Sequence, residues 1–146
     1  QEIYPIALQE KGLPTTLREY VFEWENRNNA VISLTVQNER ALPLEMEQAV
    51  YRFIQEALAN VSRHSKAGQV DVSLLYNPES LQVIIADNGK SFRAAEALRP
   101  RHKEAGVGLL GMQERVTLFG GTMNIDSSPG QGARITIEIP LAVVRP

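Results

Sequence analysis

The chain has no cysteine, two histidines, one tryptophan and no apolar run near the roughly 20 residues that cross a bilayer. Without cysteine there are no disulfides, no thiolate nucleophile and no cysteine zinc site. Two histidines leave little scope for a histidine metal cluster. A large excess of either charge is also missing. Fifteen Lys and Arg stand against 17 Asp and Glu, a net charge of −2. That removes the bulk electrostatic case for nucleic acid or for an anionic membrane surface. No signal peptide is visible, and the lack of cysteine fits a reducing cytosol, so a cytoplasmic domain without direct membrane contact is expected. The parent protein is expected to be soluble or membrane-anchored. The chain opens in mid-pattern with QEIYPIAL and no Met, so it reads as a piece of a longer protein.

What is present is a core and a pattern. At 146 residues, 43% of them hydrophobic, the chain is long enough for one domain with a buried interior. The strongest periodicity runs from Glu45 to Ala67. Met46, Ala49, Val50, Phe53, Ala57, Leu58 and Val61 recur at steps of three and four, the buried stripe of an amphipathic helix. Pro43 precedes it, where no backbone N–H is needed. A second stripe runs beside the first. Glu56, Asn60 and His64 are four apart, and each step of four advances about 6 Å along the axis and about 40° around it. A carboxylate, an amide oxygen and an imidazole in a row suit a base, a metal ligand and a phosphate partner. The spacing alone also suits an ordinary solvated flank.

The rest of the chain is read in order. Ile3 to Leu8, with Pro5, reads as an irregular lead. Thr15 or Thr16 caps a helix with Glu19 in a capping box, and Asn28 and Asn29 end it. Ala30 to Gln37 is a strand with Ile32, Leu34 and Val36 facing inward. Gln69 to Tyr76 and Leu81 to Ala86 form an antiparallel hairpin that ends in Asp87-Asn88-Gly89. Phe92 to Ala105 has few apolar residues and five basic ones counting His102, and reads as a long loop of the kind that forms lids. A helix covers about Leu109 to Leu118. Thr122 to Ser127 and Ala133 to Ile139 close the chain as a second hairpin around the turn Gly130-Gln131-Gly132. The sum is a two-layer α/β (α+β) sandwich, a mixed and mostly antiparallel sheet covered on one face by about three helices.

Two further segments carry chemistry. A carboxylate at the end of a buried strand, as at Asp87, accepts a hydrogen bond from an exocyclic amine such as that of adenine. Gly89 lets a flat ring approach the backbone, although an ordinary Asx turn reads the same way. Gly106, Gly108 and Gly111 stand immediately before and inside a helix start, where exposed N–H groups favour phosphate oxygens. The run GVGLLG satisfies the dinucleotide-binding pattern, but a basic loop precedes it and a hairpin follows it, so a Rossmann unit is rejected.

The ordered set E-x-x-x-N-x-x-x-H, D-x-G and G-x-G-x-x-G resembles the GHKL ATPase superfamily with its Bergerat nucleotide-binding fold. The finer text YRFIQEALANVSRHSKA, GVGLLGMQERVTLFGG and GARITIEIP resembles the catalytic ATP-binding domain of sensor histidine kinases of the nitrate-sensor and desaturase-regulator type. The likeness is strong from Pro43 to Leu141 and looser over the helix-and-strand lead-in, residues 1–42. The resemblance implies a single domain over residues 1–146 that binds ATP and Mg²⁺, with residues 92–105 as the ATP lid. It implies Glu56 as the general base or its support, Asn60 as magnesium ligand and His64 beside the phosphates. It implies Asp87 as the adenine-reading carboxylate, with Gly89 beside the ring. Gly106, Gly108, Leu109, Gly111 and Met112 would line the nucleotide, and Arg93, Arg99, Arg101 and Lys103 would approach the triphosphate. The implied reaction moves the γ-phosphate to a histidine on a dimerisation domain outside this chain, for relay to a response regulator. Other readings are a GHKL ATPase that drives a conformational change, an anti-sigma-type serine kinase, or a degenerate nucleotide-binding module. Two positions depart from the pattern. Ser91 stands where the family has a second glycine, and Ala133 lacks the hydroxyl of the usual threonine, a hydrogen bond of about 1 kcal/mol.

Overall fold

The structure is a computed structural model that describes residues 4–62, 68–89, 106–127 and 130–141. Among these residues nine elements follow in chain order: α1 (Ile6–Lys11), α2 (Leu13–Asn28), β1 (Val31–Gln37), α3 (Leu44–Asn60), β2 (Gln69–Tyr76), β3 (Ser80–Asp87), α4 (Gly106–Leu118), β4 (Thr122–Ser127) and β5 (Ala133–Pro140). The five strands make one sheet in the order β1-β2-β3-β5-β4. β1 runs parallel to β2, and every other pairing is antiparallel. Parallel neighbours need a crossover, and α3 supplies it.

Period-two patterning fixes which side of the sheet is covered. Val70, Val72 and Leu74 on β2, Leu81, Val83 and Ile85 on β3, and Ile135, Ile137 and Ile139 on β5 are buried. They form one core with Leu17, Val21 and Trp24 of α2, Val50, Phe53, Ile54, Ala57 and Leu58 of α3, and Leu109, Met112 and Val116 of α4. Each large side chain buried this way stabilises by about 1.5–3 kcal/mol before entropy is counted. The alternate residues, such as Asp71, Ser73 and Arg134, lie on the other face. The result is the expected two-layer sandwich with a mixed sheet.

Local details differ from the sequence expectations in instructive ways. The lead segment is helical from Ile6, because Pro5 holds an extended backbone (φ −62°, ψ 142°) at the N-cap and Leu8 anchors the turn in the core. Four helices, not three, are therefore present among the described residues. α2 begins at Leu13, two residues before the expected threonine cap. Gly12 at φ 87° turns the chain and serves as N-cap, Pro14 fills the first turn, and no side chain caps it. Thr16 sits inside the helix, buried, with its Oγ1 donating to Gly12 O at 2.8 Å, so no capping box forms. Asn29 in the left-handed region (φ 52°, ψ 44°) ends α2 as expected. α3 ends at Asn60, and Val61 and Ser62 continue it as a wider π turn. The expected last turn, with Arg63, His64 and Lys66, lies outside the described residues.

Candidate functional site

α3 is the axis of the site. Pro43 at its N-cap and Glu45 and Glu47 in its first turn start it, and its apolar stripe presses on the sheet. That packing rolls Glu56 to the helix edge that faces α4. Glu56 is half-buried there and shares a concavity of 180 Å³ with Arg52, Phe53, Gly108, Gly111, Met112 and Arg115. The approach of the two helices is close. A Cβ built on Gly108 would lie 2.9 Å from Glu56 Oε1 and nearer still to Oε2, so only glycine admits the carboxylate at this position.

One turn further on, Asn60 is 2% exposed. Its Oδ1 is buried and accepts no hydrogen bond among the described residues. An orphaned buried acceptor costs about 1–3 kcal/mol, which a bound water or ion would offset. The polar edge of α3 is therefore not a solvated flank at this residue.

α4 opens at Gly106, three residues before the expected start at Leu109. Gly106, Gly108 and Gly111 all lie within its first two turns, and the N–H groups of Gly106 to Leu109 lack partners within the helix. Leu109 is fully buried in the core, so its only polar contribution to a ligand is its backbone. Met112 is buried and lines the concavity. The lead-in also borders this region. Tyr20 of α2 stacks edge-on against Tyr51 of α3 at 5.8 Å. Burial raises the Tyr20 hydroxyl above its ordinary value; nearby Arg27 opposes the rise, the Glu56 carboxylate adds to it and Arg52 opposes it.

Asp87 and Gly89 stand at the end of β3. Gly89 N–H donates to Asp87 Oδ1 at 2.9 Å, an Asx turn. The next residue is tied down twice: Asn88 N–H donates to Gln69 O at 3.2 Å, and Gln69 N–H donates to Asn88 Oδ1 at 3.1 Å. Asp87 lines a second concavity of 380 Å³ with Ala86, Asp126, Gln131, Gly132, Ala133 and Arg134. Gly132, at φ 83°, lies against the Asp87 carbonyl so tightly that any Cβ would overlap it. The segment read as a plain hairpin turn thus braces the strand end that presents Asp87. Ala133 pairs in register with Asp87, where the absent threonine hydroxyl would have stood beside it.

The structure gathers Glu56, Gly108, Gly111 and Met112 at one concavity, keeps Asn60 next to it on α3, and sets Asp87 at a second, with Gly89 in the turn beyond it. His64, Ser91 and residues 92–105 with Arg93, Arg99, Arg101 and Lys103 lie outside the described residues. Sequence reading missed Arg52 and Arg115. The signal was available: Arg52 stands four before Glu56, and Arg115 stands four after Gly111.

A fold with this sheet order, and glycines at the start of a helix facing a helix-borne carboxylate, defines a nucleotide-binding α/β sandwich. The chain belongs to the family described as histidine kinase-, DNA gyrase B- and HSP90-like ATPases, which it matches over residues 45–143, and ATP is the nucleotide of that family. It is an ATP-binding domain of the sensor histidine kinase type. It is 39% identical over 145 residues to the signal transduction histidine-protein kinase/phosphatase DegS of Bacillus subtilis, covering 95% of this chain and 37% of that protein. It is 33% identical to the oxygen sensor histidine kinase NreB of Staphylococcus carnosus, covering 96% of this chain and 40% of that protein. The chain thus spans about two-fifths of such relatives. The histidine kinase domain of a blue-light activated histidine kinase from Erythrobacter litoralis shares the fold, with a TM-score of 0.68 at 20% identity over 88% of this chain and 61% of that one. Among the described residues no helix is long and apolar enough to cross a membrane.

Proposed function

We propose that residues 1–146 form one catalytic domain, with residues 1–42 as lead-in and 92–105 as lid, that transfers the γ-phosphate of Mg-ATP to a histidine on the dimerisation domain of its parent kinase. A response regulator then receives the phosphoryl group. The domain works in the cytoplasm, whether or not the parent is anchored in a membrane. The observation that carries this reading is Asn60: a buried amide whose oxygen has no partner among the described residues, one turn from a carboxylate held against a glycine-lined helix start. An amide oxygen is a hard donor and fits magnesium. Magnesium bound there would neutralise charge on the transferring phosphoryl oxygens.

The chain's own groups divide the remaining work. Asp87 accepts the exocyclic amine of adenine, and Gly89 leaves room for the ring face. The N–H groups of Gly106, Gly108 and Leu109 approach the phosphates, Gly111 and Met112 line the path, and His64 stands on the phosphate side. As the unprotonated nitrogen of the imidazole attacks, Glu56 accepts the proton carried by the other ring nitrogen. As the new P–N bond forms, the bond from the γ-phosphorus to the bridging oxygen breaks, and ADP leaves. The relatives are kinases by name, which favours this reaction over an ATP-driven conformational machine or a serine kinase.

Calorimetric titration with a non-hydrolysable ATP analogue, with and without Mg²⁺, tests the assignment. Asp87→Asn is expected to abolish binding while leaving the fold intact. Asn60→Asp is expected to change the Mg²⁺ dependence with little effect on adenine recognition. Unchanged affinity in Asp87→Asn would overturn the adenine assignment, and no binding at millimolar nucleotide would overturn the catalytic reading as a whole.

A further inference from the structure

Two arginines line the Glu56 concavity, one from each helix that forms it. Arg52 lies one turn before Glu56 on α3, and Arg115 lies on α4. Side chains on an α-helix tilt toward its N-terminus, over the turn before their own Cα. Glu56 therefore leans toward Arg52. Arg115 leans back along α4 toward positions 111 and 108, its neighbours at i−4 and i−7. Both are glycines. A Cβ at Gly111 would meet nothing within 4 Å, so this stripe of α4 is an open groove, and at Gly108 the groove ends on the Glu56 carboxylate. The groove spans about 10 Å along the axis from residue 108 to residue 115, and a tilted arginine covers most of it.

We infer that Arg52 and Arg115 are positioning residues for Glu56: two cations, one from each helix, that fix the carboxylate in the orientation from which it takes its proton. This inference rests on the proposed role of Glu56 as base. Carboxylates accept charge-assisted hydrogen bonds from guanidinium groups in a plane set by the donors, so a cation on each side defines both the place and the tilt of the oxygens. Gly108 supplies the space and the arginines supply the direction. Arg115 also ties the base to α4, whose first turn is the glycine-bearing start assigned to the phosphates. A shift of α4 would therefore move phosphate donors and base together.

The test is a double-mutant cycle between Arg115→Gln and Glu56→Gln. Phosphohistidine formation is followed in the parent kinase, and affinity for a non-hydrolysable ATP analogue is measured on this chain. Arg115→Gln is expected to lower the transfer rate about tenfold with nucleotide affinity unchanged, and Arg115→Lys is expected to recover part of it. In the Glu56→Gln background the Arg115→Gln change should then have no further effect, because a residue that acts through Glu56 has nothing left to position. Arg52→Gln should behave in the same way. Additive losses, or a fall in affinity that matches the fall in rate, would overturn the inference and make the arginines direct phosphate ligands. A full rate in both arginine variants would overturn it too. If Glu56→Gln itself kept the full rate, the base assignment would fail instead, so the two failures are distinguishable.

Discussion

Replacing Gly108 with alanine separates what this position does for stability from what it does for chemistry. The added Cβ would lie 2.5 Å from the Glu56 carboxyl carbon and 2.9 Å from Oε1. Ordinary contact for such atoms begins near 3.4–4 Å, so the carboxylate must retreat by about 1 Å. It is the far end of a flexible side chain, which makes the retreat inexpensive. Strain of up to about 1 kcal/mol is then offset by the gain from placing alanine rather than glycine in a helix, also about 1 kcal/mol. The melting temperature of Gly108→Ala is therefore expected to stay within about 3 °C of the wild type. The rate is not protected in this way. A catalytic group displaced by 1 Å loses on the order of a hundredfold. Thermal unfolding, analogue binding and phosphohistidine formation, run in parallel, should show a normal fold, near-normal affinity and a rate down by about that factor. Shortening the base offers a second check: Glu56→Asp combined with Gly108→Ala should recover part of the rate lost by Gly108→Ala alone. A full rate in Gly108→Ala would refute the reasoning, because the carboxylate would then not be needed where the glycine admits it. A drop in stability beyond about 3 kcal/mol would refute it from the other side, since Glu56 would not be free to retreat.

Two other perturbations follow from the same geometry. Gly132→Ala puts a Cβ on the Asp87 carbonyl and a side chain at φ 83°; the neighbour here is sheet backbone and cannot yield. A loss of about 2–4 kcal/mol is expected, read as a melting temperature about 5–12 °C lower, together with weaker adenine binding. Glu47, 7% exposed at the start of α3, has its carboxyl raised above the ordinary 4.5 by burial; a hydrogen bond from Leu42 N–H opposes the rise and Glu39 adds to it. Because the folded state holds the proton more tightly than the unfolded one, the ionised form destabilises the fold above the raised value. That cost fades as pH falls toward 4.5 and is gone below it. Glu47→Gln should thus melt about 1–3 °C higher than the wild type at pH 8 and at the same temperature at pH 4. Parallel melting curves across that range would show that burial does not penalise the charge.

Much was legible from residue order because the signals are local. The stripe from Met46 to Val61 set the buried face of α3, and the alternation of Ile135, Ile137 and Ile139 set that of β5. Short turns implied the two hairpins, Asn77-Pro78-Glu79-Ser80 in the first and the glycines at 130 and 132 in the second. Helix starts were less legible. Gly12 replaced the expected threonine cap of α2 because a left-handed turn between two helices needs glycine, and no threonine hydroxyl can supply that turn.

By itself, then, the sequence determined the two-layer sandwich, its inward faces and the candidate residues Glu56, Asn60, Asp87 and Gly108, since periodicity and motif spacing are properties of the chain. Only the tertiary structure decided what surrounds them. Burial of Asn60 with an unanswered oxygen, the fit of Gly108 to Glu56, the press of Gly132 on Asp87 and the convergence of Arg52 with Arg115 each join residues far apart in the chain. Whether a polar side chain on a helix edge is solvated or enclosed depends on what packs against that edge, and a helical period carries no record of it.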